Sequence, residues 1–153
     1  MGRYGRIDIR GLKEFQDKLK KLQPPDAFVE SCAKELAARL LAKVIKRTPV
    51  GQYDKGSGKK GGTLRRGWTG QKNSSASGYV NSLPIHHFGD TYVIEITNPV
   101  EYASYVEFGH RTANHKGWVQ GKFMMTISEQ ELQRIAPKVL EAKIKKYLGG
   151  CLK

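Results

Sequence analysis

The sequence predicts an α+β fold, with a small antiparallel β-sheet packed against a long helix of the N-terminal half and a second helix near the C-terminus, joined by long flexible loops. Three observations predict it. Phe28, Cys32, Leu36, Leu40, Leu41 and Val44 recur at helical spacing between Asp26 and Arg47, leaving Lys34, Arg39, Lys43 and Lys46 mostly outside. Leu132, Ile135, Val139, Ile144 and Leu148 fall close to a single stripe. Between these helices Thr91 to Thr97, TYVIEIT, is the clearest strand in the chain, one member of a sheet of about three to five strands.

The elements follow in order. Arg6-Ile7-Asp8-Ile9-Arg10 alternates with period two and predicts a short strand, after which Gly11 opens a helix with Leu12, Phe15, Leu19 and Leu22 on one face. Pro24-Pro25 closes that helix, Asp26 caps the long one, and Thr48-Pro49 ends it. Positions 51 to 62, GQYDKGSGKKGG, are rich in glycine and hold no aliphatic residue, so no core can fix them and the segment is expected to be mobile. Thr63 to Thr69 reads as a strand led in by Leu64 and Trp68, and 70–89 as a second loose segment.

Asn98-Pro99 stops the central strand, and NPVEYASYVEFG then has helical spacing. In that short helix Val100, Ala103 and Val106 share one side, Tyr102, Tyr105 and Glu107 project elsewhere, and Gly109 is the stop. The tyrosines suit either a contact surface or the edge of a small core. Gly117 to Phe123 is an aromatic turn in which Phe123, Met124 and Met125 dock the last helix on the sheet, while Trp118 serves as a lid over the core or an anchor into a partner. Ser128 with Glu131 has the form of a capping box; Pro137 is expected to kink or divide the helix, and Gly149-Gly150 to stop it.

Composition narrows the function classes. A chain of 153 residues is enough for one domain, 1–153, yet only 39% of it is hydrophobic and the mean hydropathy is −0.54, which suits a subunit ordered by its neighbours better than a compact enzyme. The formal net charge is +13. Between Lys43 and Lys72 lie Lys43, Lys46, Arg47, Lys55, Lys59, Lys60, Arg65, Arg66 and Lys72 against Asp54 alone, so most of the excess sits in one stretch that either is simply solvated or draws polyanions. Cys32 and Cys151 form no pattern, which points to a reducing environment. No apolar run approaches the roughly 18–20 residues that span a bilayer, and the first residues lack the apolar stretch of a signal peptide, so no membrane association is expected.

Motifs for chemistry are weak. GSGKKGG fails the phosphate-loop test because it follows a helix and has neither the spacing nor the hydroxyl that magnesium needs. His86, His87, His110 and His115 do not match metal-ligand spacing, and no metal or other cofactor is expected. A metal-free nuclease using His110 as base, with Arg111 or Lys116 on the phosphate, needs no more than the residues present. A sequence-independent nucleic-acid-binding module would use Lys59, Lys60, Arg65 and Arg66 beside Trp68 on the backbone phosphates. The opposing reading buries Trp68 in the sheet and pairs the arginines with Glu101 or Glu107 of an adjacent subunit.

GGTLRRGW at 61–68, NPVEYASYVEFGHRT at 98–112 and GWVQGKFMM at 117–125, in this order and spacing, resemble the gene-product-ten-like tail-component family of lambdoid and other long-tailed phages and prophages. The resemblance extends over roughly Arg6 to Leu148 and takes in the Thr48-Pro49-Val50-Gly51 loop. It implies a structural, non-enzymatic tail-completion or head–tail joining protein, assembled in the bacterial host cytoplasm and located in the neck of the virion. Such a protein would form a homo-oligomeric ring, sixfold by the resemblance, between the head connector or stopper and the tail terminator or tail tube. Subunit contacts would then fall on Tyr102, Tyr105, Glu107, Arg111 and Trp118, and a basic arm of Lys55, Lys59, Lys60, Arg65 and Arg66 would face genomic DNA without sequence preference or order on a neighbour.

Overall fold

The computed structural model describes residues 10–22 and 24–152, apart from the side chains of 10–13, 15 and 150–152. In chain order these residues form α1 (Arg10–Lys20), α2 (Pro25–Arg47), α3 (Thr63–Gly67), α4 (Ala76–Asn81), β1 (His86–Phe88), β2 (Thr91–Val93), α5 (Ala103–Phe108), β3 (Gly109–Arg111), β4 (Trp118–Gln120) and α6 (Met124–Leu152). The architecture is α+β, with long helices in the N-terminal half and at the C-terminus. Of the strand expected over Arg6–Arg10, residues 6–9 lie outside the described residues, and Arg10 opens α1.

The long helix α2 starts at Pro25 because a proline at the first helical position gives up no hydrogen bond. Asp26 is not the cap: Pro24 holds that position with no side-chain bond, and Asp26 stands in the first turn, where the helix dipole favours its charge. The helix ends at Thr48, whose extended conformation (φ −67°, ψ 124°) is what a following proline requires. Phe28 stacks on Tyr147 at 4.1 Å between ring centres, and near the other end Arg47 reaches Ser128, so α2 and α6 run antiparallel.

Thr48 is the point where the core converges. Its hydroxyl donates to Val44 O at 2.7 Å and accepts the Trp68 indole N–H at 2.7 Å, while its carbonyl accepts two bonds from Arg65. Around it Leu41, Val44, Leu64, Trp68, Val80 and Met124 form the buried apolar cluster. These side chains come from α2, α3, α4 and α6, so this core is made by helices rather than by a helix-on-sheet contact.

Three expectations need correction. Thr63–Gly67 is helix α3 and not a strand, because Leu64, Gly67 and Trp68 are buried together at i, i+3 and i+4, the helical period. The stretch 70–89 is not all loose: the Ser75 hydroxyl accepts Gly78 N–H at 3.0 Å and caps α4, which delivers the fully buried Val80. The strands make two separate antiparallel hairpins, β1–β2 and β3–β4, in place of one sheet of three to five strands. Pairing in the first runs His86 to Val93 and Phe88 to Thr91, and Ile94 to Thr97 continues without a ladder partner.

The last helix also departs from its sequence reading. It starts at Met124, four residues before the expected cap, and neither Pro137 nor Gly149-Gly150 divides or stops it before Leu152. Ser128 is buried inside it, donating to Met124 O at 2.6 Å and accepting from Arg47 Nη1 at 3.1 Å. Glu131 pairs with Arg47 at 2.6 Å and Lys43 at 3.1 Å. Hydrogen bonds from Arg47 first and then Lys43 hold its carboxyl below the ordinary value of 4.5.

A lowered folded pKa means that this pair's stabilisation is fully present above the ordinary carboxylate pKa and is lost as pH falls through the folded value. The urea midpoint of the wild type is therefore expected to drop more between about pH 5 and about pH 3 than that of Glu131→Gln. Identical pH dependence in the two proteins would show that the pair contributes nothing.

Candidate assembly surface

The segment leading into α5 is pinned by Asn98. Its amide N–H₂ donates to Leu64 O at 2.7 Å and its amide oxygen accepts Val100 N–H at 3.1 Å, closing an Asx turn before the helix. Asn98 and Val100 approach Gly67 so closely that a Cβ there would collide with the Asn98 amide oxygen. Ala103 and Val106, with Val100, then pack α5 against the core cluster.

At the exit, Gly109 adopts φ +88°, a conformation that side-chain-bearing residues rarely take, and a Cβ would also strike Val119 O. The chain turns directly into the β3–β4 hairpin, with Arg111 opposite Trp118, His110 opposite Val119 and Gly109 opposite Gln120. Directly opposed residues share a face, so Arg111 and Trp118 lie side by side while His110 and Val119 occupy the other face.

Glu107 makes this unit rigid. It is only 7% exposed, and its carboxylate accepts Met125 N–H at 2.9 Å, Thr126 N–H at 2.9 Å and the Thr126 hydroxyl at 2.7 Å. A carboxylate placed there satisfies two of the free N–H groups that start every helix and complements the dipole of α6. Lys122 N–H to Val106 O at 2.7 Å and Phe123 N–H to Glu107 O at 3.0 Å complete the joint between α5 and the start of α6.

What remains outside is aromatic. Tyr105 is 59% exposed, Phe108 61% and Trp118 60%, with Tyr102 and Val119 also exposed. Tyr105 leans on the His110 ring at 5.7 Å. Of the residues singled out from the sequence, Tyr102, Tyr105, Arg111 and Trp118 are therefore open to a partner, whereas Glu107 is spent inside the chain. Phe108 was missed, although it stands at i+3 from Tyr105, the spacing that places two residues on one helical flank.

The basic residues divide as well. Lys55, Lys59 and Lys60 lie on the exposed 51–62 loop, which carries no helix or strand, with the Lys59 ammonium 5.9 Å from the centre of the Tyr53 ring. Arg66 is exposed and bonds Gly61 O at 3.2 Å. Arg65 is turned inward to the Thr48 carbonyl, and Trp68, 5% exposed, belongs to the helical core, so neither is placed to lie on a polyanion. His110 Nδ1 contacts its neighbour's carbonyl, Arg111 O, and His87 Nε2 contacts Glu30 at 2.9 Å. Among the described residues no three His, Cys, Asp or Glu side chains gather where a metal could bind.

A family model described as "Bacteriophage HK97-gp10, putative tail-component" matches residues 13–109, from within α1 to the glycine that follows α5. The chain belongs to the HK97-gp10-like family. No curated protein and no solved structure matches it. Membership makes the protein a structural component of a phage tail, working against other virion proteins. In this family member the tyrosine helix closes the matched region, and the Trp118 hairpin and α6 follow it. No helix among the described residues is long and apolar enough to cross a membrane.

Proposed function

We propose that this tail component, acting as a single domain, completes the tail by forming a ring in the neck of the virion, sixfold in number, between the head connector or stopper and the tail terminator or tail tube. The supporting observation is the exposed aromatic surface of α5 and β3–β4, carried on a joint that Glu107 fixes to α6. Large aromatic side chains in water cost apolar hydration that a neighbour would relieve, and tyrosine, tryptophan and phenylalanine are the residues enriched where partners meet. One heterologous patch, used by every copy in turn, closes a ring. Tyr102, Tyr105, Arg111 and Trp118 form the contact, joined by Phe108. The Lys55, Lys59, Lys60 and Arg66 side chains face the passage for DNA and touch phosphates without reading bases. The protein works by fit, not by catalysis.

Particles assembled without the protein test this directly. Filled heads and separate tails are the expected products, restored to joined particles by the wild-type chain. Infectious, tailed particles formed in its absence would refute the reading.

A further inference from the structure

Charge is distributed in two opposed blocks that the net value conceals. From Asn73 to His110 there is no lysine or arginine, while Asp90, Glu95, Glu101 and Glu107 all fall there. From Phe108 to Ser128 there is no acid, while Arg111, Lys116 and Lys122 do. In a chain of net charge +13 a cation-free stretch of this length leaves the exposed Asp90, Glu95 and Glu101 as a local excess of negative charge, Glu107 being buried.

The structure gives each block a shape. Beside Ile94 and Ile96 lies an apolar groove of about 380 Å³, walled by Leu36 and Leu40 of α2 and Leu132 of α6. Glu129 stands on its lip and Glu95 on the outward side of the same extended segment; both are exposed and neither is ion-paired among the described residues. The basic block is a projection: every residue from Ala113 to Gln120 is exposed, and Trp118 stands beside Arg111 next to the 112–117 turn of the hairpin. A groove lined by apolar side chains with Glu129 on its lip and Glu95 beside it, and a projection that carries Trp118 and Val119 next to Arg111 and Lys116, are complementary, and the two patches share no residue.

We infer that the groove of one copy receives the β3–β4 hairpin of the next. Trp118 and Val119 enter against Ile94, Ile96 and Leu36, and Arg111 and Lys116 settle on Glu95 and Glu129. This pairing rests on the ring proposed above and supplies its receiving surface. Because groove and hairpin are distinct patches, the contact is heterologous, as ring closure demands.

Light scattering on the purified full chain tests the pairing with two charge-reversed proteins. One carries Glu95→Lys with Glu129→Lys, the other Arg111→Glu with Lys116→Glu. Each alone opposes like charges at every contact and is expected to self-associate about tenfold more weakly than the wild type, or less still. Mixed in equal amounts they meet as opposite charges at both contacts, so association returns; this recovery also shows that both variants are folded. If the wild type associates and the reversed proteins associate equally well alone, the pairing is wrong while the ring stands. If the mixture stays as weak as its parts, the pairing is again wrong. A wild type that remains monomeric at every concentration removes the self-assembled ring and the pairing together.

Discussion

Trp68→Ala is expected to cost about 3–5 kcal/mol, the range for removing a large aromatic side chain from a packed interior, and to lower the melting temperature by about 10–15 °C. Trp68 is 5% exposed and packs in the cluster that joins α2, α3, α4 and α6, so the space it leaves cannot be closed by moving one element. The loss has a polar part as well, because the indole N–H bonds the Thr48 hydroxyl at the end of α2. Trp68→Phe separates the two contributions: it keeps most of the apolar contact and loses the hydrogen bond, for an expected cost of about 1–2 kcal/mol. Urea unfolding measures both. A Trp68→Ala protein that unfolds at the wild-type midpoint would show that this helical core is not what holds the fold.

Glu107→Ala is the second large effect, at about 2–4 kcal/mol, because it strips the acceptor from Met125 N–H and Thr126 N–H at the buried start of α6. Glu107→Gln retains one carbonyl oxygen but no charge, and its cost is expected to fall about midway. The distinguishing measurement is amide hydrogen exchange. Met125 and Thr126 should exchange much faster in Glu107→Ala, while the amides of Leu41 and Val44 in mid-α2 change only with global stability. Unchanged exchange at Met125 and Thr126 would mean that the carboxylate does not cap the helix. This prediction bears on assembly too, since the same carboxylate ties the aromatic surface of α5 to the longest helix of the chain.

The parts of the molecule that were legible in the sequence are those whose signals are local. The α2 stripe ends where Thr48 meets Pro49, the α5 stop falls on Gly109, and the glycine-rich 51–62 loop takes no helix or strand. For Tyr102, Tyr105 and Trp118 the local pattern left two readings open, contact surface or cover of a core, and the fold leaves all three exposed. Thr63–Gly67 is a helix where a strand is expected because Leu64 and Trp68, four apart, suit one turn of helix as well as the two ends of an extended run. Ser128 was misread because a hydroxyl followed by a glutamate three residues on marks a cap only if nothing else has already started the helix.

Sequence alone thus determined the α+β class, the two long helices and the family, because each rests on the order of residues within single segments. Tertiary structure alone decided that Glu107 caps α6 across 18 residues, that Arg65 and Trp68 both serve Thr48, and that the strands form two hairpins. A hydrogen-bond donor at a helix start, a carbonyl at a helix end and an indole N–H all require partners, yet which distant residue supplies each is set by how the helices pack and by nothing in the local pattern.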